Sequence, residues 1–309
     1  MRAVLYEPPS KAGWMALCQT FDQWPQDQTL EVGVEYAQNL LDAWPDHLRA
    51  SPRSWLLMRL MPSLHNDQPD PWLPWRLIKH LNLNGLPPRF ALSTLLSRRL
   101  ANWPALQYIQ TISARSSGLQ DTSLSCLMGS AWLKSLAHLD VGRNRISEQG
   151  ARAIARAPHI QALRTLDVSI TSIGVKGAQH LAHALTMTGI EVLNLSTTGQ
   201  RPEAARELAA APNLRALRRL DLSHNSIGDD GAQALVSSPY LSRLEDLRLN
   251  RNHIGDLGAV AIAQSPFLKH LKHLNLDGNR IGYDGQRALG KNAHLKAALE
   301  HPPPSGTIP

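Results

Sequence analysis

Cysteine is nearly absent from this chain: Cys18 and Cys126 are the only two in 309 residues. Their wide separation excludes a disulfide framework and a cysteine-rich zinc site, and it fits a reducing compartment. Long apolar runs are missing as well, and none approaches the ~18 residues of a membrane span. The N-terminal MRAVLYEPPSKAGWMALCQ lacks an uninterrupted apolar stretch and a small-residue cleavage site. A soluble cytoplasmic protein is the expectation, with secretion through a route that needs no such signal still compatible. The nucleotide-binding, zinc-protease and serine-hydrolase patterns GxGxxG, P-loop, HExxH and GxSxG do not occur. No enzyme class has support, and neither a cofactor nor a metal is expected.

What is present is abundant core material, with 43% hydrophobic residues and a net charge of +7. Residues 1–80 hold 7 Lys+Arg and 9 Asp+Glu, whereas residues 81–309 hold 25 and 16. The basic balance is interleaved with acids and contains no block of five like charges. Such a distribution reads as a mixed solvated surface, so nucleic acid is not the expected partner and a protein is.

The dominant signal is a repeat. LxxLxL recurs as LAHLDV from Leu136, LRTLDV from Leu163, IEVLNL from Ile190, LRRLDL from Leu217, LEDLRL from Leu244 and LKHLNL from Leu271, each start 27 residues after the last. IQTISA from Ile109 is a weaker copy in the same register, making seven units. An asparagine column follows at Asn144, Asn225, Asn252 and Asn279, with Ser117, Thr171 and Thr198 as variants. Next come Ile146, Ile173, Ile227, Ile254 and Ile281, then Gly150, Gly177, Gly231, Gly258 and Gly285. An Ala-rich stretch ends near Pro158, Pro212, Pro239 or Pro266.

Each column has a physical reading. Alternation at the end of LxxLxL predicts a short strand with one face buried. The Asn amide, donor and acceptor at once, can satisfy backbone groups where the chain leaves the strand, and Ser or Thr can do part of this. Glycine is expected to permit a tight turn or a positive φ before the helix. Ile154, Leu181, Leu208, Leu235, Ile262 and Leu289 should face the core from that helix, and proline should help to stop it. Strands pack at ~4.8 Å and helices at ~8–10 Å, so a stack of such units bends with its strands inside.

Residues 109–297 resemble the ribonuclease-inhibitor type of leucine-rich repeat, with its LxxLxLxxNxIGxxGAxAL wording, over about 60% of the chain. The near-uniform GDxGAxAL units look like bacterial members of that class. The resemblance implies an α/β solenoid: a horseshoe with a concave parallel sheet, a convex helical face and an α-helical N-terminal cap. It also implies protein binding by a non-catalytic scaffold. The alternating cysteines of the mammalian inhibitor are absent, so inhibition of ribonuclease is not implied.

The ends differ from the repeats. All eight tryptophans precede residue 133. GWMALCQTFDQW and LEVGVEYAQNLLDAW read as amphipathic helices, and FDQWP and LDAWP recur twenty residues apart. Residues 1–80 are therefore a helical Trp-rich cap or companion region, against the alternative of a separate docking module with an aromatic surface. DQPDPWLPW at 67–75 reads as a turn, and residues 81–108 as the first half-unit with a strand at Leu81–Leu83. Residues 298–309, ending HPPPSGTIP, read as a flexible tail.

Candidate chemistry is sparse. His180 and His183 lie three apart on a predicted helix, but lack an accompanying Cys, Asp or Glu there, and are read as surface histidines. Cys126 occupies a column of alanines (Ala153, Ala234, Ala261) and is read as a small core residue. The unit from Ile190 reads GQRPEAA where others read IGDxGA, a change confined to the convex-side turn.

The candidate partner surface is the concave face. Its central column runs Ser113, Asp140, Asp167, Asn194, Asp221, Arg248 and Asn275, flanked by His138, Arg219, Asp246 and His273, with Arg143, His224 and Arg251 beyond. Asp140, Asp167, Asn194, Arg219, Asp221, Asp246, Arg248, Arg251, His273 and Asn275 are the expected partner-binding set. Because LDLSxN is the repeat's generic wording, the departures Arg248, Asn250 and Arg251 carry the most information. A second reading is a secreted bacterial effector serving as substrate adaptor in a host ubiquitin-ligase pathway, with NGLPPRFALSTLLSRRL at 84–100 as a degenerate F-box-like helix.

Overall fold

The computed structural model describes residues 1–25, 28–41, 43–45, 48–52, 55–56, 60, 73–85 and 92–300. The expected turn at 67–75 falls largely outside these residues, as do Trp72, part of the 84–100 stretch and the tail from 301. Eight three-residue strands form one parallel sheet in chain order: β1 (His80–Asn82), β2 (Thr111–Ser113), β3 (His138–Asp140), β4 (Thr165–Asp167), β5 (Val192–Asn194), β6 (Arg219–Asp221), β7 (Asp246–Arg248) and β8 (His273–Asn275). Leu81, Ile112, Leu139, Leu166, Leu193, Leu220, Leu247 and Leu274 stand in register across all eight. All eight are buried. A shared leucine register is what a fixed repeat length enforces, because a slip of one residue would turn the row to solvent.

Each strand is followed by a helix on the other side of the core. The expected inward positions Ile154, Leu181, Leu208, Leu235, Ile262 and Leu289 are all buried. Pro212 and Pro239 open short 3₁₀ turns, Pro212–Leu214 and Pro239–Leu241, which seat Leu214 and Leu241 in the core. The last repeat helix, Tyr283–Lys291, is followed by another, Ala293–Glu300, which buries Leu295 and Ala298.

The asparagine column binds one coil to the next. Asn225 Nδ2 donates to the carbonyls of Leu195, Leu222 and Ser223, while its Oδ1 accepts from the amides of Thr198 (3.1 Å) and Gln200 (2.9 Å). Asn144 makes the same five bonds three units earlier, to Ala114, Val141, Gly142, Ser117 and Leu119. Ser117, Thr171 and Thr198 each donate their hydroxyl to the carbonyl three residues back, and Thr198 Oγ1 also accepts from Gln200 Nε2. Buried backbone groups left without partners cost stability, so the amide is the better occupant.

The glycines do not serve the purpose expected of them. Gly150, Gly258 and Gly285 lie inside their helices, and none has a positive φ. Their role is close packing: a Cβ at Gly258 would stand 2.6 Å from Asp229 Oδ1 and 2.6 Å from Ile254 Cγ2. Asp229 Oδ1 occupies that space because it accepts the amides of Gly255 and Gly258 at the start of the next helix. Asp121 and Asp256 cap the following helix in the same way. The deviant unit has Gln200 in the isoleucine column and Ala204, fully buried, in the glycine column, and the unit before it has Val175 in the aspartate column. With the β-branch and the carboxylate both gone, the methyl group fits.

Positive φ falls elsewhere. Ser116, Arg143, Ile170, Thr197, His224 and Arg251 have φ of +52 to +55°, and Gly278 at +67° continues the same 27-residue column. This left-handed turn just past each strand costs a residue with a Cβ about 1–2 kcal/mol.

At the N-terminal side, the two amphipathic segments are helices Lys11–Asp22 and Gln28–Leu41. Five of the seven described tryptophans are buried, among them Trp55, Trp75 and Trp103, stacked edge to face with centroids 5.5 and 5.1 Å apart. Trp14 Nε1 donates to the Ala50 carbonyl at 2.8 Å. Residues 49–51 in turn bond the outer edge of β1 through Arg49 O, Ser51 N and Ser51 Oγ. That sheet edge is therefore covered.

Two substitutions test this packing. Gly258→Ala should lower stability by about 1–3 kcal/mol in urea unfolding, against a helix propensity favouring alanine by about 1 kcal/mol. Asn225→Ala should cost about 3 kcal/mol or more, because several buried backbone groups lose their partner together.

Candidate functional site

The strands present two polar columns beside the buried leucines, and the second has a structural duty. The carboxylate or amide oxygen at the end of a strand accepts the amide two residues on: Asp140 from Gly142, Asp167 from Ser169, Asn194 from Ser196, Asp221 from Ser223 and Asn275 from Asp277. These Asx turns steer the chain into the left-handed residue that follows. The generic wording LDLSxN is thus explained by backbone chemistry; Arg248, which cannot accept, departs from it, as does Ser113, where the Arg115 amide donates to Asn84 Oδ1 instead.

The floor charges are matched to one another in two groups. Arg115 Nη1 lies 3.4 Å from both Asp140 Oδ1 and Asp167 Oδ2, and its Nη2 donates to Ser169 Oγ. Asn194 Nδ2 adds a 2.9 Å bond to Asp167 Oδ2. In the second group Asp246, 3% exposed, receives Arg248 Nε and Nη2 and stands 2.9 Å from Arg219 Nε, whose N–H points off the hydrogen-bond line. Arg248 Nη1 also lies 3.9 Å from Asp221 Oδ2. Asp167 is only 5% exposed. Asp140, Asn194, Arg219, Asp221, Arg248, His273 and Asn275 are half-buried on the same floor, and Arg251 is exposed at its rim. Arg115 joins this set although its sequence position, directly after the weak first copy, carries no repeat signal of its own.

Burial and the neighbouring Asp167 push the Asp140 carboxyl above its ordinary range, while the Gly142 amide and Arg115 oppose them. Burial, with the charge of His138 beside it, lowers His80, which is hydrogen-bonded to Ser113 Oγ at 2.8 Å. Cys18 is buried, and burial raises its thiol well above the usual range, as for an inert core cysteine. Cys126 is half-exposed on the helix Asp121–Met128, as are Ala153, Ala234 and Ala261. The column is therefore partly open, with Ala261 packed against the edge of the core. His183 does have an acidic neighbour, Glu207 of the next helix at 3.1 Å, a contact that spacing along one helix cannot reveal. No group of three or more metal-ligating side chains occurs among the described residues. An open cleft of about 460 Å³ on the helical side is lined by Asp121, Ser125, Arg152 and Arg156, among others, and Asp121, its one acid, is committed to capping.

A family model described as Leucine Rich repeat matches residues 133–155, 213–236, 242–263 and 267–290. The fold is a leucine-rich-repeat solenoid. An internalin (inlF) from Listeria monocytogenes is 19% identical, with 72% of this chain and 60% of that one covered and a TM-score of 0.47. Internalin C2 (inlC2) from the same organism is 24% identical, covering 58% of this chain and 76% of its own at a TM-score of 0.39. The chain thus spans 60% of the length of the first of these. No curated protein matches it significantly. Leucine-rich-repeat solenoids typically act as protein-interaction scaffolds and are typically not enzymes. No helix among the described residues is long and apolar enough to cross a membrane.

The raised Asp140 gives a pH prediction with a definite sign. The folded state holds this proton more tightly, so its contribution to stability is present in acid and is lost as pH rises through the folded value. Asp140→Asn should gain stability relative to the parent as pH rises from below the ordinary carboxylate value. Carboxyl-detected NMR of Arg115→Gln should place Asp140 higher still.

Proposed function

We propose that this protein is a non-catalytic protein-interaction scaffold that receives its partner on the concave face of the solenoid, with the N-terminal helices serving as its cap. The observation that carries this reading is the floor itself: two charge clusters, centred on Asp167 and Asp246, held in fixed positions by a rigid sheet. A preordered polar array of this kind recognises complementary groups with little loss of side-chain freedom. Burial of the tryptophans supports a cap over an aromatic docking surface. Helix Thr94–Ala101, which the adaptor reading would offer to a ligase, turns Leu96 and Leu100 into the core. Nothing therefore favours that second reading.

Reversing a floor pair tests the proposal while keeping its charge balance. Affinity capture with an Asp221→Arg, Arg248→Glu double variant should recover the partner at least tenfold less efficiently than the parent. Equal recovery of every captured protein by both would remove the floor from the interface.

A further inference from the structure

The cations of this solenoid are sorted by position. On the floor, Arg115, Arg219 and Arg248 are each paired with aspartate. At the opposite end of the strands Arg164 and Arg218 are paired with glutamate. The strand-exit edge is different. Arg143, Arg145, Arg201, Arg251 and Arg280 stand in the turns between strand and helix, and all five are exposed. Among the described residues, none of them has an ion pair. His224 and His253, also exposed, share the edge. In the six turns 141–147, 168–174, 195–201, 222–228, 249–255 and 276–282, Asp277 is the only acid.

Backbone strain coincides with this edge. Arg143, His224 and Arg251 occupy the left-handed column, with φ of +53, +55 and +55°. Stability alone would place glycine there, as the last unit does with Gly278. A Cβ at Gly278 would stand 2.9 Å from Arg251 Cγ, so the stem of Arg251 lies across the neighbouring turn. Strain retained in a row of outward side chains is what a binding surface requires and a mere connection does not. The column also holds Ile170, a β-branched residue 42% exposed in the same conformation.

We propose that the strand-exit edge binds an extended acidic protein segment, carboxylates on its arginines and an apolar side chain against Ile170. The proposal rests on the protein-scaffold reading and adds a second contact surface to it. Carboxylates suit exposed guanidinium groups because they accept paired hydrogen bonds. The six turns contain no Phe, Tyr or Trp on which bases could stack, which favours a polypeptide over a nucleic acid. From β3 to β8 the edge crosses five strand spacings, ~24 Å at ~4.8 Å each, or about seven residues of extended chain.

The test is fluorescence anisotropy with the full chain and a labelled peptide of Glu and Asp about nine residues long with a central Leu. Controls are the same peptide with Gln and Asn for its acids and a single-stranded oligonucleotide of equal charge. The parent should bind the acidic peptide, more weakly as salt rises, and bind both controls at least tenfold less well. An Arg143→Glu, Arg145→Glu, Arg251→Glu variant should lose at least tenfold in affinity, and the Asp221→Arg, Arg248→Glu floor variant should keep it. Arg251→Gly should raise the thermal midpoint while weakening binding, an opposition that a merely structural role would not produce. No binding by the parent, equal binding by the edge variant, or equal binding of the oligonucleotide overturns the proposal. Those outcomes leave the floor reading standing, because that depends on partner capture by the floor variant; loss of capture there with the peptide still bound has the converse meaning.

Discussion

A polar side chain at each strand exit holds the seven repeats in their stack: in four an asparagine amide ties one coil to the next, and in three a Ser or Thr hydroxyl satisfies a carbonyl of its own coil. Where the chain leaves a strand and turns toward its helix, backbone carbonyls and amides of two adjacent units are enclosed together, away from water. Asn225 and Asn144 each satisfy five of them at once, reaching into their own unit and the one before. A single hydroxyl has too few sites and a carboxylate has no donor, so neither could satisfy all five. The unit length is held constant because any insertion would carry the amide away from the groups that need it.

Neighbouring coils answer one another elsewhere too. Asp229 and Asp256 cap helices that belong to the unit after their own, placing negative charge and an acceptor at each helix N-terminus. The carboxylate needs room, and so does the branched isoleucine beside it, which is why glycine follows. The unit with Gln200 and Ala204 follows one with Val175 in the aspartate column, so all three positions of that contact are exchanged, and Gln200 and Ala204 are completely buried. Change along the chain has been absorbed by compensation between units.

This architecture separates two kinds of surface. Floor residues project from a rigid sheet at fixed spacing, and their charges neutralise one another across strands. Edge residues project from turns whose backbone is already strained, and their charges do not. A rigid floor favours shape-specific recognition, whereas uncompensated exposed cations act over longer range and speed encounter with an acidic surface.

Periodicity alone made much of this readable. The 27-residue recurrence placed the leucine register, the inward helix residues and the amide at the strand exit, because each repeats in identical surroundings. The helices Lys11–Asp22 and Gln28–Leu41 were legible from their amphipathic pattern. What a column of letters could not convey was which neighbour each residue meets. Glycine before the helix suggested a turn, yet its purpose is clearance for Asp229 of the preceding coil and for Ile254 four residues earlier in its own. Cys126 looked like core because alanine does, but its column is partly open. The central aspartates were legible as a polar row, but not that they are also bonded to their own backbone and placed beside Arg115 and Arg248. Local pattern thus determined the coil, since stacking repeats the same short-range contacts. Only the tertiary structure could decide which charges cancel, because cancellation depends on distances between residues one or two coils apart.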